Sequence, residues 1–450
     1  MTLAPTVTPD PAMVARYRTR APRYTSYPTA PQFKAISQEE IAAGIARGTG
    51  PVSIYIHVPF CVRRCHYCGC HVEIHGNRDI GEVYVDDLLA EAALWHAPMQ
   101  PGRTLGQLAM GGGTPTFLKP ASIRRLVDGL RALWPVEPGA ELAIEVDPRT
   151  VTDVDLENLA ACGFTRVNLG VQDVDDGVLA AVNRPQPFSK VEEVVATLRR
   201  VGLPQLGVDL VYGLPNQTDE TFSATIDAVA GLRPTRIALF QYAHVPWLKP
   251  AQKLIDRFPR PDSEGRTRMW KIAREKLGAA GYVEIGMDHF ALPGDSLATA
   301  YEEGSLQRNF EGYTTHGGLD LIGMGVSSIG FFGGVYAQDL KDRDRWHEEI
   351  AAGRFPTERG FVLSDDDQRR RRVIMELFCN FAVDLTEGDE TALAAELDKL
   401  APLEADALVV HTPGHVQVTE LGRFFIRNVC AIFDRYLEVD DGQRRYSETA

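Results

Sequence analysis

Apolar and polar positions follow two alternating rhythms along this chain. Six short runs are apolar nearly throughout: VSIYIHV (52–58), LGQLAMGGG (105–113), ELAIEVDP (141–148), RVNLGVQ (166–172), QLGVDLVYG (205–213) and RIALFQYA (236–243). Between them lie stretches whose apolar residues recur at helical spacing, such as YVDDLLAEAALWH (84–96) and SIRRLVDGLRALW (122–134). A short run that is apolar on both faces suits a strand buried on both sides, and strands alternating with helices pair in parallel. The pattern predicts an α/β fold with helices outside a parallel sheet, most simply a full or partial (β/α)6 barrel. Periodicity alone leaves a doubly wound sheet open as well.

A further run, YVEIGMDHFA (282–291), and the Gly-rich DLIGMGVSSIG (320–330) extend this part. From about 357 the pattern turns helical, with SDDDQRRRRVIMELFCNF and ELGRFFIRNVCAIFDRYL, and HVQVT (415–419) reads as a wing strand before the last helix. The expected organisation is an N-terminal arm (1–50) packing on the barrel, loose over 1–14, and a catalytic barrel with its extension (51–356). A smaller, mainly helical domain (357–437) and a polar, disordered tail (438–450) follow.

Charge and composition narrow the function. The formal net charge of −14 disfavours nucleic acid, because a polyphosphate needs a local basic face to overcome the overall field. The first twenty residues lack the apolar core of a signal peptide, and no apolar run is long enough to cross a bilayer. A cytoplasmic setting is therefore expected, where thiols stay reduced. Of seven cysteines, four crowd into CVRRCHYCGC, at Cys61, Cys65, Cys68 and Cys70, which points to metal or redox chemistry rather than disulfides.

Three thiolates spaced CxxxCxxC, at Cys61, Cys65 and Cys68, suit a [4Fe–4S] cluster, each holding one iron and leaving the fourth open. Tetrahedral zinc is the competing reading, but zinc knuckles draw a second ligand pair from further along the chain. Cys162, Cys379 and Cys430 stand alone in apolar stretches and read as core thiols. The turn GGGTP (111–115) lets backbone approach a small ligand closely. Other polar residues fall at the carboxyl ends of the expected strands, where α/β folds gather their chemistry: Glu145 to Asp147, Gln172, Asp209, and Tyr242 to His244.

These motifs, with PRYTSYPTA (22–30), IYIHVPFCVRRCHYCGC (54–70), MGGGTPTFL (110–118), IEVDPR (144–149), NLGVQD (168–173), DLVYGLPNQT (209–218) and RNFEGYTTHG (308–317), resemble the oxygen-independent coproporphyrinogen III oxidases. That family belongs to the radical-SAM enzymes, and the resemblance runs nearly the whole chain. It implies a partial (β/α)6 barrel of the radical-SAM type with a helical C-terminal domain, acting as a monomer. S-adenosylmethionine on the open iron would yield a 5′-deoxyadenosyl radical. The implied reaction turns two propionates of coproporphyrinogen III into vinyl groups with loss of carbon dioxide. An electron donor such as flavodoxin or ferredoxin is also implied.

By the same resemblance a second SAM lies beside the first. Tyr55, Gly112, Glu145, Ala243 and Ile329 would contact the cluster-bound molecule. Tyr67, Gly113, Thr114, Gln172, Arg184 and Asp209 would contact the other. Cys70 is expected to act on the substrate or second-SAM side rather than as a ligand, since three thiolates and SAM fill the four irons. Tyr67 stands where the family often has Phe, and His71 where Asn is usual. Arg23, Tyr24 and Tyr27 of the arm would either cover a flat anionic tetrapyrrole or pack as a surface element. A haem chaperone of similar sequence and a radical-SAM tetrapyrrole methyltransferase remain as alternatives.

Overall fold

The structure is a computed structural model and describes residues 9–437 and Tyr446. Two compact units divide it: 34–276 with 318–362, and the remaining segments up to 33, 277–317 and from 363 onward.

The larger unit is built on seven parallel strands. Six are those expected: β1 (Val52–Val58), β2 (Leu105–Gly112), β3 (Val136–Val146), β4 (Arg166–Gln172), β5 (Gln205–Tyr212) and β6 (Arg236–Gln241). They neighbour one another in chain order, β1 to β6. The Gly-rich run supplies β7 (Asp320–Met324), which pairs in parallel with β1 on its other side. Beyond β7, the antiparallel strands β8 (Ile329–Phe332), β9 (Val335–Asp339) and β10 (Thr357–Val362) continue this sheet. This is the partial (β/α)6 barrel, with an antiparallel flank.

Burial on both faces explains the unbroken apolar runs. Val52, Ile54, Ile56 and Val58 of β1 are wholly buried, as are Leu108, Val167, Leu169, Leu210 and Ile237 of the neighbouring strands. The helices α1 (Ile80–His96), α2 (Pro120–Leu133), α3 (Asp153–Ala161), α4 (Phe188–Arg200) and α5 (Asp219–Gly231) form the crossovers. Their starts are written locally: Pro120 opens α2, while α3 carries a capping box in which Thr152 and Asp155 satisfy each other's backbone N–H.

The smaller unit contains the helix Asp365–Asn380 and a three-stranded antiparallel sheet of Ala382–Asp384, His415–Val418 and Val409–Thr412. HVQV is thus the central strand of that sheet. The run 282–291 folds as a hairpin, Val283–Ile285 with His289–Ala291, rather than as one continuous strand. Tyr24 and Tyr27 are spent on this unit's core, at 1% and 0% exposure. The Tyr24 hydroxyl donates to Asp434 at 3.2 Å, and Arg427 donates to the carbonyls of Ala21 and Pro22.

The linear boundaries are corrected at three points. Residues up to 33 belong with the C-terminal segments rather than on the barrel, because two tyrosines buried among 373–433 hold them there. Residues 357–362 form an edge strand of the large sheet, which moves the second unit's start to 363. Residues 11–16 are helical, opened by Asp10, whose carboxylate accepts from the Ala12 N–H at 3.0 Å. The expected tail, Tyr446 apart, lies outside the described residues, as do residues 1–8. No described helix is long and apolar enough to cross a membrane.

Candidate active site

Polar side chains gather at the carboxyl ends of β1 to β5. After β1 the chain makes a two-residue strand, Phe60–Cys61, paired in parallel with Glu73–Ile74. The loop between these strands carries Cys65, Cys68 and Cys70. Both its ends are therefore pinned, and four thiols sit on one short bent segment.

Each thiol meets a different environment. Cys61 Sγ lies 3.4 Å from Thr114 Oγ1, and burial pushes its thiol up to about 11. Cys65 Sγ faces two guanidinium groups, Arg184 at 3.5 Å and Arg149 at 3.7 Å. The neighbouring Cys70 pulls the Cys68 thiol down to about 6, and Cys68 in turn holds Cys70 well above its usual value. Cys162, Cys379 and Cys430 are buried and remote in sequence.

Asp147, just past β3, ties the arginines together. It accepts from Arg149 at 2.6 Å and from Arg184 at 3.3 Å. Burial works to raise its carboxyl, but the two guanidinium groups outweigh burial and hold it below the usual range. Arg184 also donates to the Gly170 carbonyl, and its Nε is buried with no partner in the protein. A register shift between Gly170 and Gln172 ends β4, with Gln172 in the left-handed region at φ 71°. That irregular end points a polar residue away from the regular ladder.

Glu145 differs from Asp147, two residues on, because no cation reaches it. Glu145 is open to solvent at the end of β3; the surrounding protein and the charge of Asp209 push its carboxyl upward, although its Oε2 accepts from the Gly112 N–H at 3.1 Å. Gly112 has φ 109°, and a Cβ there would stand 2.5 Å from the His57 ring. A Cβ on Gly113 would meet the backbone of Pro59 and Phe60 at 2.8 Å. The GGGTP turn is thus glycine because the loop carrying the thiols lies directly on it.

His57 is held neutral, its ring lowered to about 4 by burial. Its Nε2 lies 3.0 Å from the His71 carbonyl, so Nε2 carries the proton and Nδ1 accepts from the Tyr55 hydroxyl at 3.3 Å. Gln252 Nε2 joins two more expected residues, donating at 3.1 Å to the carbonyls of Tyr67 and Ala243. Tyr67 packs on the apolar group of Val178, Val182, Val211, Leu214 and Ile255. A cleft of about 290 Å³ opens between the loop and the segment after β6, lined by Cys68, Cys70, His71, Leu248 and Lys249 among others.

Behind β7 a second layer positions the turn before Ile329. Glu91 on α1 accepts from the Gly325 N–H at 2.8 Å, and the Tyr84 hydroxyl accepts from the Val326 N–H at 3.0 Å. Tyr84 passes its own proton to the His57 carbonyl at 2.8 Å. Asp339, on β9, completes the layer by accepting from Ser328 at 2.8 Å.

Of the expected residues, direct contacts join Cys61 to Thr114, Cys65 to Arg184 and Glu145 to Gly112. Ala243 is tied in through Gln252, whereas Ile329, on β8, stands across β7 from Tyr55. Sequence reasoning left out Arg149, His57, Gln252 and Lys249. Arg149 and His57 lie inside the quoted IEVDPR and IYIHVPF motifs, at strand ends, so their position was the available signal; Gln252 and Lys249 had none.

The donor set fits an iron–sulfur cluster. Three thiols come from one loop, and a backbone cradle too tight for any Cβ lies beside them. Among the described residues no three His, Cys, Asp or Glu side chains converge on one metal ion, whereas a cubane gives each thiolate its own iron.

Comparison with known proteins agrees along the whole chain. Residues 55–229 match the Radical SAM superfamily, and residues 363–425 match the HemN C-terminal domain. The chain is 39% identical over 447 residues to the oxygen-independent coproporphyrinogen III oxidase of Escherichia coli K12, covering 97% of this chain and 98% of that protein. It is 37% identical over 461 residues to the protein of the same name from Synechocystis, covering 99% of each. The solved structure of coproporphyrinogen III oxidase (HemN) from E. coli, described as a radical SAM enzyme, superposes with a TM-score of 0.90 at 39% identity, over 96% of this chain and 100% of that one.

Proposed function

The chain belongs to the oxygen-independent coproporphyrinogen III oxidase family of radical-SAM enzymes, and on that premise we propose how its own residues serve the family's reaction. The enzyme oxidatively decarboxylates coproporphyrinogen III to protoporphyrinogen IX in haem biosynthesis, using a [4Fe–4S] cluster and SAM. When bound, these cofactors supply a 5′-deoxyadenosyl radical that removes hydrogen from a propionate side chain.

Cys61, Cys65 and Cys68 hold the cluster, with Arg184 and Arg149 aimed at the Cys65 sulfur. Glu145 receives the cationic part of the first SAM, its carboxyl pushed upward by the surrounding protein and the nearby charge of Asp209 until a cation binds. Tyr55, Gly112, Ala243 and Ile329 complete the first SAM's contacts. Tyr67, Gly113, Thr114, Gln172, Arg184 and Asp209 hold a second SAM, towards which the unpartnered Arg184 Nε offers a donor. The protein works as a cytoplasmic monomer supplied by a flavodoxin or ferredoxin.

Cys70 acts on the substrate or second-SAM side, lining the cleft with Cys68 and His71. Cys70→Ser is expected to keep the cluster's iron and absorbance while losing about tenfold or more in conversion, the range of a positioned proton-transfer group. Iron loss equal to that of Cys65→Ala would make Cys70 a ligand.

The observation that carries the function is the CxxxCxxC loop seated on the GGGTP cradle in a chain alike over its whole length to these oxidases. Anaerobic turnover of coproporphyrinogen III with SAM and dithionite, followed by mass, tests it. Protoporphyrinogen IX and carbon dioxide are expected; a methylated tetrapyrrole would instead indicate a transferase.

A further inference from the structure

We propose that the surface formed by the thiol-bearing loop and the segment 247–257 docks an acidic one-electron carrier protein. This rests on the reaction given above and adds where the electron enters.

Two features coincide on this face. Val62, Leu248 and Leu254 are among the most exposed large apolar side chains of the chain, at 51%, 59% and 47%. The same two segments carry five cations, Arg63, Arg64, Lys249, Lys253 and Arg257, none of which forms an ion pair among the described residues. Elsewhere exposed cations such as Lys119, Arg125, Arg200 and Arg354 each hold a carboxylate. The one carboxylate within the segment, Asp256, is taken by His244 at 2.9 Å and Arg260 at 3.3 Å.

The thiol-bearing loop and the segment meet directly. Arg64 and Lys249 line the same cleft, Arg64 donates to the Val72 carbonyl at 3.0 Å and Lys249 to the Cys70 carbonyl at 3.2 Å. Val62, Arg63 and Arg64 are the residues between the first two ligand thiols, so a partner seated there meets the cluster from the solvent side. Electron transfer falls steeply with distance, which favours such an entry. Exposed apolar side chains with unpaired charge of one sign are the anatomy of a transient, electrostatically steered interface. The complement is an acidic protein surface.

The test uses the reconstituted holoenzyme and an acidic flavodoxin as probe. Arg63→Glu, Lys253→Glu and Arg257→Glu are combined, with Lys253→Ala and Arg257→Ala as a milder pair. Flavodoxin affinity is measured by calorimetry, and turnover is driven either by reduced flavodoxin or by dithionite, a small reductant that needs no docking. Wild-type affinity should fall with salt, and the triple variant should bind flavodoxin at least about tenfold more weakly. Iron content and dithionite-driven conversion should be unchanged. Equal affinity in variant and wild type overturns the proposal. So does a raised KM for coproporphyrinogen with dithionite, because the face would then hold substrate. Wild-type enzyme that binds flavodoxin through this face, yet makes no protoporphyrinogen with either reductant, would support the docking site and sink the reaction instead.

Discussion

At the mouth of the sheet Asp147 lies buried between Arg149 and Arg184, while behind β7 Glu91 and Asp339 lie buried together with no cation at hand. The first carboxyl is held below the usual range because two guanidinium groups outweigh its burial. The second pair is driven upward: burial raises Glu91 to about 7 and Asp339 well above its usual value, with the charge of Glu91 also raising Asp339. Two buried acids without a counterion keep a proton between them and titrate as a unit. Burial, then, does not by itself mark chemistry. The mouth keeps its charges, and keeps them beside thiols; the layer behind β7 discharges its own and uses them to hold the turn at Gly325 to Ser328.

The difference can be broken first at the thiols. Replacing Cys61, Cys65 or Cys68 by Ala should abolish the cluster's visible absorbance and all 5′-deoxyadenosine formation, whereas Asp339→Asn should leave both intact. A cysteine variant that still cleaves SAM at the normal rate would remove the mouth's claim to the chemistry.

The next test removes the counterion. Arg184→Ala leaves Asp147 with only Arg149 and strips one donor from Cys65, and breaking a buried pair in this way costs about 3–5 kcal/mol. A drop of that order in the urea midpoint of the cluster-free protein is expected. Arg184→Lys should recover only part of it, because one ammonium cannot reach Asp147, Cys65 and the Gly170 carbonyl in the plane of a guanidinium.

The smallest effect is a slope. Glu91 is raised from an ordinary value of 4.5 to about 7, so its contribution to stability is complete below about 4.5 and is lost as pH rises through about 7. In Asp339→Asn the amide replaces the shared proton: its nitrogen donates to Glu91 and its oxygen accepts from Ser328. The variant should match wild type near pH 5 and exceed it at pH 8, by on the order of 1 kcal/mol, as read from denaturant midpoints. Parallel pH profiles for the two proteins would show that the pair is not sharing a proton.

Much of the larger unit was legible in the chain. The strands at 52–58 and 166–172 follow their apolar runs to the residue, since burial on both faces leaves an uninterrupted signal. The run 282–291 was legible as apolar, but it turns at 286–288 into a hairpin, which a local pattern does not show. In the site, local chemistry was readable and convergence was not. CxxxCxxC and GGGTP announce themselves by spacing, but Arg149 and His57 gain meaning only from what stands across the sheet from them.

The sequence by itself determined the α/β alternation, the cysteine loop, the glycine turn and the family, because each rests on residues near one another in the chain. Tertiary structure alone decided that Tyr24 and Tyr27 fill a core with residues beyond 370 rather than cover a ligand. It also decided that Asp147 is held below the usual carboxylate range while Glu91 and Asp339 are pushed above it, and that Arg64 and Lys249 line the cleft beside Cys68 and Cys70. The reason is common to all three. A side chain's charge and exposure are set by the groups folding brings within a few ångströms, and those groups come from elements far apart along the chain.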